Sequence, residues 1–286
     1  MRKLVIRLLF YLAFLLFLRW RISAMFYVPD RVRYGQPSDA GLPFEEVTFA
    51  GRDGTRLSGW FIPAVGPAKG TVVHFHGNAQ NMTAHFGFVA WLPRAGYNLF
   101  VFDYRGYGRS EGRPGRKGVY EDSIAALDYV LARPDVVRGR VVALGQSLGG
   151  ANAIAVLGTA RKGAVRALAV DSAFYSYRLM VRDKIRAMPV LGVLAGPLAW
   201  LLADERYSPA PAVPKLASMP LLVFHGTADP VVDYTHAGRI YQAAGEPREL
   251  VTLPGGFHTD AFIVPGDQYK QKLLAFFQHA LELPLD

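Results

Sequence analysis

The feature that most constrains this chain is a rhythm of short apolar runs separated by longer mixed segments, beginning near residue 44. Eight runs are candidate strands, at 47–49, 57–63, 71–75, 98–102, 141–145, 167–170, 221–224 and 250–253. Helical patterns occur near 80–93, 118–131, 148–160, 235–244 and 268–281. The later runs are almost continuously apolar, which is typical of strands buried on both faces. The sequence therefore predicts an α/β fold with a mostly parallel eight-stranded sheet flanked by helices.

One segment is too long for an ordinary connection between neighbouring strands. Residues 173–219 separate two predicted strands and contain an apolar stretch at 188–203, which two prolines and two glycines interrupt. A proline-rich tether follows at 208–214. We expect a small cap after the sixth strand, near the carboxyl strand ends where functional loops gather in such sheets. Residues 29–286 would then form one domain with a cap insertion.

The first 28 residues have a different character. Residues 8–18 are eleven uncharged, mostly large apolar residues, and arginines flank them at Arg7 and Arg19. Seven basic residues and one acidic residue within 1–33 account for most of the net charge of +9. Because the rest of the chain is only mildly basic and shows no basic-aromatic surface, nucleic acid is not an expected partner.

We expect residues 1–28 to form an uncleaved, single-pass membrane helix. A membrane span needs about 20 apolar residues, so this run is short unless its flanking arginines reach the headgroups. A signal peptide is an alternative, but no small-x-small cleavage site is evident. A buried soluble helix is another, but this helix would have no polar face for water. Basic residues flank both ends, so the side of the membrane that holds the domain stays open.

A serine between glycines stands where a predicted strand meets a predicted helix. Residues 145–149 read Gly-Gln-Ser-Leu-Gly, which would place Ser147 on a sharp strand-to-helix turn. Average usage of these residues produces the bare pattern in about one chain in ten, so its position supplies the specificity. The alternative is a serine that only caps the helix.

A serine nucleophile needs a base within hydrogen-bonding reach. His258 follows the last predicted strand, and Asp229 follows the strand at 221–224. The order serine, aspartate, histidine along the chain is that of one known arrangement of hydrolytic triads. We therefore predict a triad of Ser147, Asp229 and His258, with Asp171 as the alternative acid.

The remaining histidines and two further acids are expected to be structural. We expect His74 to pack inside a strand, His76 and His225 to shape turns at strand ends, His85, His236 and His279 to be solvated on helices, and Asp103 and Asp260 to make structural hydrogen bonds or caps. His74 and His76 share a strand face, but no further ligands have suitable spacing, so no metal or other cofactor is predicted. The chain has no cysteine, which excludes disulfides and thiolate catalysis.

An oxyanion in such a site requires preorganised donors. One predicted donor is the backbone N–H of Leu148, the residue after the nucleophile. The other is the backbone N–H of Asn78, in the loop after the strand at 71–75. The alternative for that loop is a plain strand-to-helix turn.

These stretches resemble the membrane-anchored α/β-hydrolases of the bacterial YfhR type, which are related to fungal Bem-type proteins and prolyl-oligopeptidase-like hydrolases. The matching stretches are 53–61, 76–79, 103–110, 145–150 and 225–229, together with 27–30 after the leader. The resemblance covers nearly the whole chain and implies the α/β-hydrolase fold, the same triad and the same oxyanion loop. It also implies that the predicted anchor lies in a bacterial inner membrane. The family usually has glycine where this chain has Gln80, and we expect little effect on the oxyanion donor.

The function that these residues favour is hydrolysis of carboxylic esters through an acyl-enzyme, with lipid-like esters near the membrane as candidate substrates. A serine peptidase or amidase is the alternative, although no acidic pair for a free amino terminus is evident. A non-catalytic, membrane-attached binding module is a further alternative, against which the intact triad argues. Epoxide hydrolysis and dehalogenation are disfavoured, because they need a carboxylate where Ser147 stands.

Overall fold

The computed structural model of the chain describes residues 2–284. Its strands are β1 (Val28–Pro29), β2 (Glu45–Ala50), β3 (Arg56–Ile62), β4 (Gly70–Phe75), β5 (Ala79–Gln80), β6 (Tyr97–Phe102), β7 (Val141–Gln146), β8 (Leu168–Asp171), β9 (Leu221–Gly226) and β10 (Arg248–Leu253). Its α-helices are α1 (Arg2–Ala24), α2 (Met82–Val89), α3 (Arg116–Ala132), α4 (Leu148–Leu157), α5 (Tyr177–Arg186), α6 (Ala195–Leu202), α7 (Thr235–Ala243) and α8 (Gln268–Glu282).

Eight strands form one mostly parallel sheet, which confirms the predicted α/β architecture. Their spatial order is β10-β9-β8-β7-β4-β6-β3-β2. Only the pairs β2–β3 and β3–β6 are antiparallel within this sheet. Every residue of β4, β6, β7, β8 and β9 is buried, which explains why these strands read as continuous apolar runs in the sequence.

Two apolar layers cover the faces of this sheet. Neighbouring residues of β4 point to opposite faces, so Val73 packs in the layer with α3, α4 and α7, whereas Val72 packs in the layer with α2 and α8. Helices on both faces leave the carboxyl ends of the parallel strands as the accessible edge. The loops after β4, β7, β8, β9 and β10 therefore meet at one edge of the sheet.

The long segment after β8 forms a helical insertion. It contains α5, α6 and two 3-10 turns at Leu191–Leu194 and Val213–Leu216. The two helices pack through Val181 and Ile185 of α5 against small residues of α6. Several large apolar side chains of this cap stay exposed, with Val190 at 82% and Val193 at 87%.

The prediction of a single-pass membrane anchor at residues 1–28 is wrong. Across residues 2–284, no helix combines the length and the apolar character that crossing a membrane requires. The helical expectation itself holds, because α1 spans Arg2–Ala24. Only eleven uncharged residues separate Arg7 from Arg19, so any stretch of this helix long enough to span a bilayer includes charged side chains.

The C-terminal part of α1 packs against the cap. Ile22 and Phe26 contact the apolar cluster between α5 and α6. The guanidinium of Arg19 lies 3.2 Å from the carboxylate of Asp204, just after α6. The chain then passes from α1 into β1, which pairs with β5 in a separate two-stranded sheet. Neither of these two-residue strands is predicted from the sequence, because neither has an apolar pattern of its own.

Candidate active site

Ser147 lies on a strained turn between β7 and α4. Its backbone has φ 51° and ψ −118°, a conformation that L-residues rarely adopt. The turn requires glycine on both sides of the serine. A Cβ on Gly145 would lie 2.5 Å from the Cα of Gly150, and one on Gly149 would lie 2.0 Å from the carbonyl oxygen of Phe75. The glycines therefore let the helix start directly against the sheet, with the serine at its amino end.

The structure brings the three predicted triad residues into one hydrogen-bonded chain. His258 Nε2 lies 3.0 Å from Ser147 Oγ, and His258 Nδ1 lies 2.7 Å from Asp229 Oδ2. A carboxylate can only accept, so Nδ1 carries the ring proton and Nε2 is free to accept from the serine hydroxyl. This is the arrangement in which the histidine can act as a base toward Ser147.

Asp229 is held as a carboxylate by its surroundings. Its side chain is fully buried, and burial opposes ionisation. Hydrogen bonds from His225, His258 and the Val232 N–H outweigh that effect, so the pKa of Asp229 lies well below its ordinary value. The second oxygen accepts from the backbone N–H groups of Val231 and Val232 at 2.8 and 2.9 Å. The acid is thus both charged and fixed in orientation.

The alternative acid, Asp171, lies at the end of the neighbouring strand but does not contact His258. Its oxygens accept from Ser172 Oγ at 3.2 Å and from Gln146 Nε2 at 3.5 Å. Ser172 Oγ in turn accepts from the backbone N–H of Thr259 at 2.9 Å. Burial raises the pKa of Asp171 to about 6. Asp171 therefore supports the turn that carries His258 without being its hydrogen-bond partner.

The loop at 76–80, after β4, has each of its carbonyl groups occupied. Side chains donate to four of these carbonyl groups: Tyr104 Oη to His76 O (3.2 Å), His76 Nδ1 to Gly77 O (2.7 Å), Tyr107 Oη to Asn78 O (2.7 Å) and His85 Nε2 to Ala79 O (3.0 Å). Backbone N–H groups provide the other two bonds, from Val28 to Asn78 O (3.0 Å) and from Asp30 to Gln80 O (3.2 Å). In a trans peptide the C=O and the following N–H point in opposite directions. The bond from His76 to Gly77 O therefore sets the direction of the Asn78 N–H.

The second predicted oxyanion donor begins a helix. Leu148 is the first residue of α4, and the first N–H groups of a helix have no partner within it. The positive end of the helix dipole adds to the attraction for an anion. The amide of Leu148 is therefore suited to stabilise negative charge beside Ser147.

Gln80 takes a backbone conformation that glycine adopts without strain. Its φ is 61°, in the left-handed region. That conformation costs about 1–2 kcal/mol for a residue with a Cβ. The loop thus contains a left-handed residue that carries a side chain, and the hydrogen bonds to its carbonyl groups hold it in this conformation.

His76 is neutral and buried beneath this loop. Burial and the nearby His85 hold the pKa of His76 well below its usual value. Its Nε2 lies 3.5 Å from Asp103 Oδ1, which also accepts from the N–H of Met82. Burial raises the pKa of Asp103 to about 7. His76 and Asp103 together support the loop from below, and neither forms a hydrogen bond to Ser147, Asp229 or His258.

Two histidines differ from the sequence expectation of solvated helix residues. His236 is 1% exposed and accepts from the N–H of Tyr175, with Asp183 at its other nitrogen. His85 packs against Gly77 and bonds the loop carbonyl at Ala79. Both histidines lie on the faces of their helices that pack against loops. Helical periodicity alone does not show which face a loop covers.

The other predicted structural residues occupy the places expected of them. His74 is buried in β4 and bonds Gln146 Oε1, and His279 is exposed on α8. His225 donates to the carbonyl of Val232, and Asp260 accepts from the N–H of Phe257 beside His258. In the part of the chain from 2 to 284, no three His, Asp or Glu side chains are close enough together to hold a metal ion.

Comparisons with known proteins agree with this architecture. Residues 66–213 match the Hydrolase_4 family, described as serine aminopeptidase, S33. The uncharacterised protein YfhR of Escherichia coli K12 is 40% identical over 284 residues, which cover 97% of this chain and 95% of that protein. Protein bem46 of Schizosaccharomyces pombe is 27% identical over 84% of this chain and 78% of its own length.

A solved structure supports the fold independently. The esterase Pf2001 of Pyrococcus furiosus superposes with a TM-score of 0.70 at 22% identity, over 89% of this chain and 98% of that one. The predicted grouping with prolyl-oligopeptidase-like enzymes stays a prediction. On its family match and its similarity to YfhR, this chain belongs to the Hydrolase_4 family of α/β-hydrolases.

Proposed function

We propose that this protein is a serine hydrolase of carboxylic esters that works through an acyl-enzyme. The observation that carries the proposal is the chain of two short hydrogen bonds from Ser147 through His258 to Asp229, at 3.0 and 2.7 Å. The membership of a hydrolase family and the likeness in fold to an esterase are consistent with it.

In the first step, Ser147 Oγ attacks the ester carbonyl while its proton passes to His258 Nε2. The carbonyl π electrons move to oxygen, and the amides of Asn78 and Leu148 stabilise the resulting anion. When the anion collapses, the C–O bond to the alcohol breaks, and His258 gives its proton to the leaving alkoxide. Asp229 keeps the imidazole in place and stabilises its cation throughout.

The second half of the reaction repeats these steps with water. His258 removes a proton from water as the oxygen attacks the acyl-enzyme. The same two amides hold the second oxyanion, and its collapse breaks the bond between Ser147 Oγ and the acyl carbon while His258 gives its proton to Ser147 Oγ. The products are the carboxylic acid and the regenerated serine.

We further propose esters with apolar acyl groups as the substrate class. Exposed apolar side chains lie next to the triad residues in the sequence. Phe257 precedes His258 and is 60% exposed, and Val231, two residues after Asp229, is 45% exposed. The cap adds further exposed apolar residues. An acyl chain that contacts these surfaces would gain about 0.8 kcal/mol per buried CH₂.

A peptidase is the alternative that the family description names. Aminopeptidase activity requires an accessible acidic group for the substrate ammonium. Of the carboxylates in the loops around His258, Asp229 is bonded to His258, Asp171 is fully buried, and Asp260 accepts from the backbone N–H of Phe257. Because each of these acids is already engaged or buried, we favour esters over peptides with a free amino terminus.

Labelling of the nucleophile tests the reaction class. We expect a fluorophosphonate to label the full chain at Ser147, because the triad makes this hydroxyl nucleophilic. Ser147→Ala should abolish labelling and lower kcat for p-nitrophenyl butyrate by a factor of about 10⁴ or more. Ser176→Ala is a matched control, since Ser176 caps α5. Undiminished labelling of Ser147→Ala would overturn the proposal by placing the nucleophile elsewhere, and an inert wild-type protein would overturn it in favour of a binding module.

A graded series of p-nitrophenyl esters from acetate to octanoate tests the substrate class. Full burial of each added CH₂ would raise kcat/KM about fourfold, so partial burial predicts a total rise of at least about tenfold. Peptide p-nitroanilides serve as the comparison for amide cleavage. A steady decline beyond acetate would contradict apolar acyl substrates and would indicate a small-ester hydrolase.

A further inference from the structure

We infer that the segment Tyr27–Asp30, which we call the strap, is a positioning element of the oxyanion hole. This inference rests on the proposed function, since an oxyanion hole has a role only if Ser147 attacks a carbonyl. The strap begins three residues after the end of α1 and lies far in sequence from every other part of the site.

The strap forms backbone hydrogen bonds with the residues around the predicted donor. The N–H of Val28 donates to the carbonyl of Asn78 at 3.0 Å, and the N–H of Asp30 donates to the carbonyl of Gln80 at 3.2 Å. These bonds make β1 and β5 a short parallel ladder. The strap therefore fixes the peptide on the carboxyl side of Asn78, whereas His76 fixes the peptide on its amino side.

The loop needs this restraint because part of it is strained. Gln80 has a φ of 61°, which a residue with a Cβ adopts unfavourably. Without the bond to its carbonyl, Gln80 would relax toward a common conformation and move the peptides before it. The amide of Asn78 would then lose the direction required to meet an oxyanion, since such donors must be placed within about half an ångström.

The strap is itself fastened at both ends. Tyr27 is 7% exposed and lies in the main apolar core, and the ring of Phe26 before it packs edge-on against Tyr177 of α5. At the other end, Asp30 Oδ1 accepts from Asn81 Nδ2 at 2.7 Å, and the carbonyl of Asp30 accepts from the N–H of Gly108 at 2.9 Å. The restraint on the loop is thus transmitted to the body of the domain and to the cap.

Val28→Pro tests the strap directly, because it deletes the N–H that reaches Asn78 and leaves a side chain that was already 55% exposed. Val28→Ala is the matched variant that keeps this donor. Tyr107 still holds the carbonyl of Asn78 in both variants, so we expect a loss smaller than the 10²–10³-fold that follows removal of an oxyanion donor. We expect kcat of Val28→Pro on a p-nitrophenyl ester to fall about tenfold, with KM changed less than twofold. We expect Val28→Ala to keep the kcat of the wild type.

A trifluoromethyl ketone supplies a readout that loss of stability alone would not give. Ser147 Oγ adds to its carbonyl carbon, the serine proton passes to His258, and the carbonyl oxygen becomes an anion held by the hole. The affinity of Val28→Pro for this inhibitor should therefore fall in proportion to kcat/KM, while the thermal midpoint of the folded variant stays near that of the wild type. Unchanged inhibitor affinity and kcat in a folded Val28→Pro protein would overturn the inference. Equal losses in Val28→Pro and Val28→Ala would also overturn it, since they would indicate side-chain packing.

A second pair of variants covers the case in which Val28→Pro does not fold. Asp30→Ala removes the carboxylate that fastens the strap to Asn81, whereas Asp30→Asn keeps an acceptor oxygen there. We expect Asp30→Ala to lose kcat and inhibitor affinity together, and Asp30→Asn to retain both; equal behaviour of the two overturns the inference. Fluorophosphonate labelling of the wild type separates the two proposals. If the wild type is inert, the proposed function fails and the strap inference fails with it; if it is labelled, only the strap variants decide.

Discussion

The ends of β8 and β9 lie side by side at the edge of the sheet, and each is associated with a buried aspartate of opposite character. Asp229, in the loop after β9, is surrounded by donors from His225, His258 and two backbone amides, which hold its pKa well below the ordinary value despite burial. Asp171, the last residue of β8, is met by only two side-chain donors, and burial raises its pKa to about 6.

The difference shows how one residue type takes two roles at neighbouring strand ends. Where two acids in one site have pKa values pushed apart, the environments indicate which one stays ionised. Asp229 is the acid that stays charged down to the lower pH, and it directly contacts His258 at 2.7 Å. Asp171 contacts Gln146 and Ser172, so it supports the backbone around the triad.

Matched amide substitutions should separate these two acids, and this is the largest effect that we expect from the pair. In Asp229→Asn, the side-chain amide cannot accept from His258 Nδ1–H in the required orientation and favours the wrong tautomer, so we expect kcat to fall by about 10³–10⁴. In Asp171→Asn, the bond between His258 and Asp229 remains, so we expect kcat within about fivefold of wild type. The measurement is ester turnover at pH 8, with circular dichroism to show that both variants fold.

Turnover in these variants also offers a way to reject the assignment. If Asp171→Asn were the inactive protein and Asp229→Asn the active one, the acid of the triad would come from β8. If both were equally inactive while folded, the two carboxylates would act as one unit, and the separation drawn from their surroundings would be wrong.

The hydrogen-bonded arrangement around Ser147 could be anticipated from local pattern, and its catalytic role stays a prediction. The turn at Ser147 is encoded within five residues, because a Cβ on Gly145 or Gly149 would collide with the backbone where α4 starts against β7. The apolar runs likewise predicted all eight strands of the main sheet, and the signal is continuous in the five strands that are buried along their whole length. The positions of Asp229 and His258 could be proposed because parallel strands deliver their following loops to the same edge.

Features that depend on contacts distant in sequence could not be predicted in this way. β1 and β5 are held by backbone bonds between residues about fifty positions apart, and backbone groups have no sequence signature. His85 and His236 lie on helices whose buried faces are defined by loops packed against them. Composition at the N-terminus correctly indicated an apolar helix. The arginines in this helix are spaced so closely that no apolar stretch is long enough to cross a membrane.

A smaller effect should appear in the pH dependence of stability, and it sharpens the contrast between the two acids. The pKa of Asp171 rises from 3.8 to about 6 on folding, so between these pH values the native state binds more protons than the unfolded state. The free energy of unfolding contributed by this residue therefore falls as pH rises from 4 to 6, by at most about 3 kcal/mol, and stays low above pH 6.

Asp171→Asn removes this titration, while the amide oxygen can still accept from Ser172. The asparagine NH₂ group then faces the Nε2 donor of Gln146, and this lost hydrogen bond lowers the stability of the variant by about 1 kcal/mol at every pH. We therefore expect urea midpoints to show the variant gaining about 2–3 kcal/mol relative to wild type between pH 4 and pH 7. Asp229 has the opposite shift, so Asp229→Asn should lose stability relative to wild type as pH rises toward about 4, and this difference should stay nearly constant above pH 5. A pH-independent difference between Asp171→Asn and wild type would mean that Asp171 is ionised as easily in the native state as in the unfolded chain, and that the two strand ends do not differ electrostatically.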